Sequence, residues 1–438
     1  MLKKEFKTKQ TSWVVQRLDL MVNLKNPLCK LSEIIPWDEF NKSFEGFYCK
    51  DNGRVAKSIR LMVSLLILKQ MNNVSDEEVV RLWVENPYWQ YFSGEEFFQW
   101  ELPCDPTELV KFRNRIGEVG VEKIFQVSIK LHGKDALETE VIPDTTVQEK
   151  NITFPTDTKL QLKIIDKCLK ISDSNGISLR QSYRRIIKKL RWSVRYLRSP
   201  KRKLEARKAM RKIKTISGRL LREVRRKLPK EQLERHLDEI CIMEKILKQK
   251  KGDKNKIYSV HEPEVACIAK GKDHKKYEFG SKVSILITKK SGIIVGAMNF
   301  KGSPYDGNTL APALEQSERL RGVKAKIAIV DEGYRGRSKI GETDVIRAHQ
   351  PRLNKYSRYK HKQWFSRRTS IEPVIGHLKS DFRLGRNYLK GTIGDSINLM
   401  LSASAWNFKK LMRKLAFIFR FFNQLFFELF ALKILRFS

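Results

Sequence analysis

The sequence predicts an α/β fold: a mixed core sheet covered by helices, a helical N-terminal domain, and a basic helical insertion after the first core strand. Three observations predict it. Residues 54–135 keep apolar residues at helical spacing, and residues 257–413 switch to the alternating period of strands. Between the first strand and the later ones lies a long basic stretch that also has helical spacing. This mixed order of strands and helices is typical of a sheet with helices packed on it.

Composition narrows the class of protein. A chain of 438 residues with 41% hydrophobic residues can bury the cores of two or three domains, which excludes a disordered chain. Its net charge of +39 is the unusual feature. Self-repulsion of that size is usually offset by a polyanion, so we expect a nucleic-acid partner first and an anionic membrane surface second.

The cysteines and the two termini indicate where the chain works. The six cysteines are widely spaced and form no C-x-x-C pair, so we expect reduced thiols in a cytoplasmic protein. The N-terminal residues have charge but no following apolar core, which argues against a signal peptide. Polar residues interrupt the apolar tail 414–438, so we expect a packed or surface-bound helix and no membrane partner.

Residues 1–135 are expected to form the helical N-terminal domain. Ser75, followed by three acidic residues, provides an N-cap and an acidic first turn for one of its helices. A compact helical domain of this kind is suited to binding a DNA end. Contact between subunits and a purely structural scaffold are the alternatives that the sequence leaves open.

Residues 161–256 are expected to form the basic insertion. Within it, residues 181–230 contain 21 lysines and arginines against two acidic residues, at a spacing that keeps apolar residues three and four apart. Helices with such faces can make many phosphate contacts. The simpler alternative is a solvated helix face. We expect DNA contact from Arg184, Arg185, Lys188 and Lys189.

The core sheet is expected to begin in residues 136–160 and to continue in 257–413. Asp144 follows the apolar start of the first strand, and Asp331 follows the buried run "KIAIV". Both carboxylates should therefore lie at strand ends, where ligands of open α/β sheets collect. Acids at strand ends are also ordinary turn formers, so the pair is informative only if the two strands are neighbours.

The third candidate acid is Glu372, on a predicted helix that also carries Lys379 seven residues later. That spacing places the acid and the base on nearly the same stripe of the helix. An alternative is a capping box formed with Thr369, in which Glu372 only closes the helix start. Pro373 fits only the first turn of a helix, so we expect the helix to begin close to Glu372.

Three carboxylates in one place need a cation, because like charges about 4 Å apart repel by roughly 1–4 kcal/mol at surface-like dielectrics. Mg²⁺ prefers carboxylates together with waters and phosphate oxygens. Two such ions can stabilise both the attacking and the leaving oxygen of a phosphoryl transfer. The sequence therefore predicts that Asp144, Asp331 and Glu372 face Mg²⁺.

At these residues the chain resembles the bacterial insertion-sequence transposases of the DDE type, specifically the insertion-sequence-five (IS-five) family. The likeness covers roughly residues 40–410. Four blocks occur in the family's order: "DTTVQEKNITFPTDTKL", "GSPYDGNTL", "IVDEGYRG" and "RRTSIEPVIGHLK". Near the last acid, Arg368, Glu372 and Lys379 keep the family's spacing, but Phe365 replaces its tyrosine.

The resemblance implies a ribonuclease H-like core in which Asp144, Asp331 and Glu372 bind two Mg²⁺ ions, with Mn²⁺ as a possible substitute. It implies cleavage at the terminal inverted repeats of the element and transfer of the freed 3′-hydroxyl into target DNA. Arg368 and Lys379 are then expected to hold terminal phosphates. It also implies a homodimer or higher oligomer on DNA, in the cytoplasm of a bacterium and associated with its nucleoid.

Two other classes of function remain open from the sequence. One is a non-catalytic basic nucleic-acid-binding protein, such as a decayed transposase. The other is a ribonuclease H-like nuclease that cuts DNA without strand transfer. In the block "GSPYDGNTL" we expect Asp306 to cap the following helix rather than to take part in the site.

Overall fold

A computed structural model of the chain describes residues 16–49, 55–250, 252–269, 275–336, 338–347 and 355–437. No side chains are described for 355–358, 360, 361, 364 and 418–437. The expectation for the N-terminal residues 1–15, and most of that for the side chains of the tail, therefore lie outside the described residues. The chain forms two compact units: Met1–Glu149 with Lys282–Phe300 and Pro304–Ser438, and Lys150–Ser281 with Lys301–Ser303.

The first unit begins with helices. They are α1 (Leu18–Met21), α2 (Pro27–Ile34), α3 (Trp37–Phe44), α4 (Ile59–Met71), α5 (Asp76–Glu85), α6 (Pro87–Phe92) and α7 (Pro106–Lys130). Polar N-caps explain where several of them start. The Ser75 hydroxyl accepts a hydrogen bond from the Glu78 backbone N–H, which confirms the predicted cap of α5.

The core of this helical region is built around α4, which is buried on nearly every side. A helix that is apolar all round has to lie inside a domain. Here α4 packs against α7 and against the C-terminal helix α15 (Gly391–Phe437). Buried charges also tie the helices together: Asp76 of α5 lies 2.8 Å from Lys69 of α4 and 2.6 Å from Arg113 of α7.

The sheet follows. Its strands in chain order are β1 (Glu140–Glu149), β2 (Ala266–Ala269), β3 (Tyr277–Thr288), β4 (Ile294–Phe300), β5 (Ile327–Ile329), β6 (Lys339–Ile340) and β7 (Thr343–Ile346). In the first unit the strand order is β4–β3–β1–β5–β7–β6. β3 and β4 form the predicted antiparallel hairpin, whereas β1, β5 and β7 run parallel. The sheet is therefore mixed, as the sequence predicts.

Three further helices complete the parts of the first unit that matter for the site. α12 (Asp306–Arg321) connects β4 to β5, and α13 (Lys355–Arg368) and α14 (Ile371–Asp381) follow β7. α13 contacts β5 and α14 contacts β1. Pro373 lies in the first turn of α14, where its missing N–H is tolerated, so the predicted start of that helix is confirmed.

The second unit consists mainly of helices: α8 (Asp157–Ser174), α9 (Arg184–Val194), α10 (Lys203–Lys227) and α11 (Lys230–Lys248). Their apolar faces form a separate core that includes Ile164, Ile213 and Met243. The basic stretch is thus helical and packed. β2 pairs with residues 277–280 of β3 within this unit.

Two general features concern the described part of the chain. All six cysteines are free thiols. None of the described helices combines the length and the apolar character that crossing a membrane requires.

Candidate functional site

The site is built first on the neighbouring parallel strands β1 and β5. Their register pairs Glu140 with Ile327 and Val141 with Ala328. Asp144 and Asp331 each lie three residues beyond the pair Val141–Ala328, and Asp331 lies two residues after the end of β5. Both acids therefore follow the paired segment at the same distance along neighbouring parallel strands.

The two aspartates are also oriented in the same way by the backbone. The N–H of Thr145 donates to Asp144 Oδ1 at 2.8 Å, and the N–H of Glu332 donates to Asp331 Oδ1 at 2.8 Å. Each carboxylate therefore uses one oxygen to accept from the next residue. The side chain of Asp331 remains 54% exposed, so it is accessible to a ligand.

Glu372 is connected to Asp331 by a shared arginine. The guanidinium of Arg368 lies 3.3 Å from Asp331 Oδ2 through Nη2 and 3.5 Å from Glu372 Oε1 through Nη1. Arg368 ends α13 and Glu372 lies in the first turn of α14. The side chain of Arg368 is only 13% exposed, and its buried Nε has no hydrogen-bond partner among the described residues.

The start of α14 tests the capping-box alternative for Glu372. Ser370 is the N-cap of α14, and no side chain makes a capping hydrogen bond there. The carboxylate of Glu372 is 62% exposed and faces Arg368, so the capping box with Thr369 does not form. Lys379 lies in the last turn of the same helix and is partly buried.

Asp306 takes a different position from the predicted one. Tyr305 is the N-cap of α12, without a side-chain capping bond, so the prediction that Asp306 caps the helix is wrong. Instead, Asp306 Oδ1 accepts a hydrogen bond from Thr145 Oγ1 at 2.6 Å and lies 2.6 Å from Lys282 Nζ. Thr145 and Lys282 are distant from Asp306 in sequence and meet it only in the folded chain, so a local capping pattern could not reveal these contacts.

Tyr334 is a buried residue whose phenol is influenced by the charged groups of the site. Burial raises the pKa of its phenol, and the negative charges of Asp144 and Asp306 raise that pKa further, while Arg368 lowers it. The charges of Asp144, Asp306 and Arg368 thus all act on this one buried phenol. Its hydroxyl stays protonated throughout the ordinary pH range.

Whether these residues suit a divalent cation can be tested on the donor set. Among the described residues, no three His, Cys, Asp or Glu side chains are grouped so as to hold a metal ion as they stand. The donors nevertheless are carboxylates, which Mg²⁺ prefers, and a guanidinium cation already lies between two of them. The residues fit a divalent cation by the chemistry of their donors, and in the present arrangement Arg368 occupies two of the carboxylates.

The candidate DNA-binding residues of the second unit lie on α9, and all four side chains are exposed. Arg184 pairs with Asp173 of α8 at 2.7 Å. Arg185, Lys188 and Lys189 form no ion pair in the described part of the chain. Arg185 and Lys189 are one helical turn apart, so their like charges repel and favour a polyanion on this face.

Comparisons with known proteins give two family-model matches. The family model described as "Transposase domain (DUF772)" matches residues 16–115, and the one described as "Transposase DDE domain" matches residues 247–408. The second match contains Asp331, Arg368, Glu372 and Lys379, whereas Asp144 lies before it.

A curated relative extends the comparison. "Uncharacterized protein ORF8 in nfe locus" of Rhizobium meliloti is 44% identical over 182 residues, which are 40% of this chain and 86% of that protein. No solved structure matches the chain.

Proposed function

Because the chain belongs to the insertion-sequence transposases with a DDE domain, we propose that it cuts the ends of a DNA element and joins them to target DNA. Asp144, Asp331 and Glu372 are its proposed catalytic carboxylates. Within the transposases we assign it to the insertion-sequence-five family, on the four sequence blocks that occur in that family's order.

One observation carries the proposal most directly. Asp144 and Asp331 follow the paired segment of the neighbouring strands β1 and β5 by the same number of residues, and Arg368 contacts both Asp331 and Glu372. These two observations support a common site for acids that are spread over more than two hundred positions of the chain. The strand order, an antiparallel hairpin beside parallel strands, supports a ribonuclease H-like core.

The proposed cofactor is a pair of Mg²⁺ ions, with Mn²⁺ as a substitute, held by Asp144, Asp331 and Glu372. When bound, these ions supply positive charge that stabilises the attacking and leaving oxygens of the phosphoryl transfer. The protein's own part is mostly positioning and charge neutralisation, so no covalent intermediate with the protein is expected.

The reaction consists of two exchanges at phosphorus. In the first, a water oxygen bonds to phosphorus while the bond from phosphorus to the 3′-oxygen breaks, and that oxygen leaves as a hydroxyl. In the second, this hydroxyl attacks a phosphodiester of the target, loses its proton, and displaces another 3′-oxygen. The second step exchanges one ester for another and needs no external energy.

Arg368 and Lys379 are proposed to hold the phosphates beside the carboxylates. The Nε of Arg368 is buried and has no hydrogen-bond partner among the described residues, so the side chain has to move before this donor can reach a phosphate oxygen. The helices of residues 161–256 are proposed to bind DNA through Arg185, Lys188 and Lys189, with Arg184 beside them. Residues 1–135 are proposed to bind the element end or a second subunit, since two ends have to be joined by an oligomer.

The test is a reaction of purified protein with a supercoiled plasmid that carries the element with its flanking DNA. Wild type with Mg²⁺ is expected to cut both ends and to yield joined products, whereas Asp144→Asn yields neither. Asp157→Asn, on the exposed start of α8, is the matched control and should behave as wild type.

The other outcomes are informative as well. Cleavage without joined product identifies a nuclease. If wild type and Asp144→Asn bind DNA but show the same background cleavage with and without metal, the chain is a non-catalytic binding protein.

A further inference from the structure

Asp306 links three separate segments around the site. Its Oδ1 accepts from Thr145 Oγ1 of β1 and pairs with Lys282 Nζ of β3, each at 2.6 Å. Lys282 is held in turn, because its Nζ also donates to the Pro304 carbonyl at 2.7 Å. A carboxylate with a hydroxyl donor and an ammonium partner, both well packed, has a fixed position.

The same carboxylate touches the loop that follows β5. A Cβ added at Gly333 would lie 3.1 Å from Asp306 Oδ2, which is closer than most Cβ contacts, so the carboxylate would have to shift by a few tenths of an ångström. Tyr305, the neighbour of Asp306, accepts a hydrogen bond at 2.8 Å from the Arg335 N–H through its hydroxyl. The start of α12 is therefore bonded to the loop of residues 331–335 at Arg335 and lies close to it at Gly333.

Thr145 connects Asp306 with the candidate catalytic acids. Its backbone N–H donates to Asp144 Oδ1, while its hydroxyl donates to Asp306. Since neighbouring residues of a strand point to opposite faces, Asp306 holds β1 from the face opposite Asp144. Fixing Thr145 thus fixes the backbone donor that orients Asp144.

We propose that Asp306, held by Lys282, is a positioning residue that sets Asp144 through Thr145 and sets Asp331 through the loop at Gly333. This inference rests on the proposed function, since it assumes that Asp144 and Asp331 act together on one cation. Partners that orient metal ligands typically contribute 10–100-fold to metal affinity or activity. In this role Asp306 acts through Thr145 and the loop at Gly333, not through contact with the reacting atoms.

Three variants and one control separate this role from simple stability. Thr145→Val keeps the size of the side chain and removes its hydroxyl, whereas Thr145→Ser keeps the hydroxyl. Asp306→Ala removes the acceptor altogether. Asp344→Asn, on an exposed position of β7, is the matched control. Thermal unfolding followed by circular dichroism identifies any variant that fails to fold.

The first readout is the affinity of the full chain for Mn²⁺ without DNA, measured by electron paramagnetic resonance titration. We expect Asp306→Ala and Thr145→Val to bind Mn²⁺ about 10–100-fold more weakly. Thr145→Ser and Asp344→Asn should stay within about twofold of wild type. The second readout is amide hydrogen exchange of residues 332–335, which should become faster in Asp306→Ala.

The outcomes distinguish a failure of the positioning role of Asp306 from a failure of the proposed carboxylate site. Unchanged Mn²⁺ affinity in Asp306→Ala and Thr145→Val, together with its loss in Asp331→Asn, overturns the positioning role and leaves the proposed site intact. If Asp331→Asn binds as tightly as wild type, or wild type does not bind, the proposed carboxylate site is wrong and the positioning role falls with it.

Discussion

At the scale of single residues, Arg368 has two competing tasks. Without a bound cation, its guanidinium neutralises Asp331 and Glu372 together. With a divalent cation present, that neutralisation is no longer needed, and Arg368 can turn its donors to a phosphate. In the proposed mechanism, the arginine that contacts both acids in the free protein is thus also the one that a metal ion has to displace.

This competition predicts opposite effects on metal binding and on catalysis. Arg368→Ala should bind Mn²⁺ at least as tightly as wild type, because no guanidinium competes for the carboxylates. Cleavage should fall at least about tenfold, because a charged hydrogen bond to phosphate, worth roughly 1.5–3 kcal/mol, is lost. Calorimetric titration with Mn²⁺ and a plasmid cleavage assay measure the two effects.

Arg367→Ala is the matched control, since Arg367 is the exposed neighbour of Arg368 on α13. It should leave Mn²⁺ affinity and cleavage close to those of wild type. A marked loss of Mn²⁺ affinity in Arg368→Ala would contradict the competition, because it would mean that Arg368 supports the metal site.

The sequence predicts single residues well where the signal is local. Asp331 directly follows a buried apolar run, and Pro373 fixes a helix start, so both positions could be inferred from neighbours in the chain. The partners of Asp306 could not, because Thr145 and Lys282 reach it only after the strands have paired. The sequence shows the block "SPYDGNTL", but its local pattern favours Asp306 as a helix cap and does not indicate these partners.

At the scale of elements, a buried ion cluster joins three N-terminal helices. Asp76 of α5 accepts two hydrogen bonds from the Arg113 guanidinium and one from Lys69, and both cations are nearly buried. Burial lowers the pKa of Lys69 to about 8, and the charge of Arg113 acts in the same direction. One carboxylate therefore stabilises two cations that are costly to bury.

Removing that carboxylate should destabilise the fold strongly. Asp76→Asn leaves two buried cations without their counter-charge, and such a broken pair typically costs about 3–5 kcal/mol. Glu77→Gln changes the exposed neighbour in the same first turn and should alter the free energy of unfolding by no more than about 0.5 kcal/mol. Urea unfolding of both variants measures the difference, and equal midpoints would refute the role of the cluster.

The same cluster predicts an acid dependence. Burial tends to raise the pKa of Asp76, but the hydrogen bond from Arg113 and the charge of Lys69 outweigh it and lower the pKa to about 2, from 3.8. Because the pKa is depressed in the folded state, the contribution is complete above pH 3.8 and is lost as pH falls through about 2. Wild type should lose more stability between pH 4 and 2 than Asp76→Asn does, as measured by urea unfolding at each pH.

The sequence predicts elements to different degrees. The spacing of apolar residues, together with the capping and turn residues at the ends of each element, locates α5, α12, α14 and the hairpin of β3 and β4. The short strands β2 and β6 have too few residues to show any period. The role of α15 as a core helix against α4 and α7 depends on tertiary packing, which a single sequence does not display.

At the scale of the whole molecule, the net charge of +39 favours a polyanionic partner. Ion pairs within the protein reduce the number of lysines and arginines that are available to bind it. Arg184 and Arg191 are paired with acids of α8, and Arg225 with Glu244 of α11. Such exposed pairs contribute little to stability, so their cations can still change partners. The exposed cations without an ion pair in the described residues are the first candidates for phosphate contact.

Salt dependence of DNA binding tests this assignment. Replacing Arg185, Lys188 and Lys189 together by Gln should reduce the slope of log affinity against log salt by about 2 to 3, because each phosphate contact contributes about 0.9. Arg184→Gln, which removes a cation already paired with Asp173, should change the slope less. Fluorescence anisotropy at several salt concentrations gives both slopes, and an unchanged slope in the triple variant would remove α9 from the DNA interface.

The central claim is that Asp144, Asp331 and Glu372 share one cation site, and a crystal structure with Mn²⁺ tests it most directly. We predict anomalous Mn²⁺ signal within coordination distance of all three carboxylates, with Arg368 moved away from Asp331 or Glu372. Signal that leaves any one of the three acids without contact, while Arg368 still joins Asp331 and Glu372, would contradict the account.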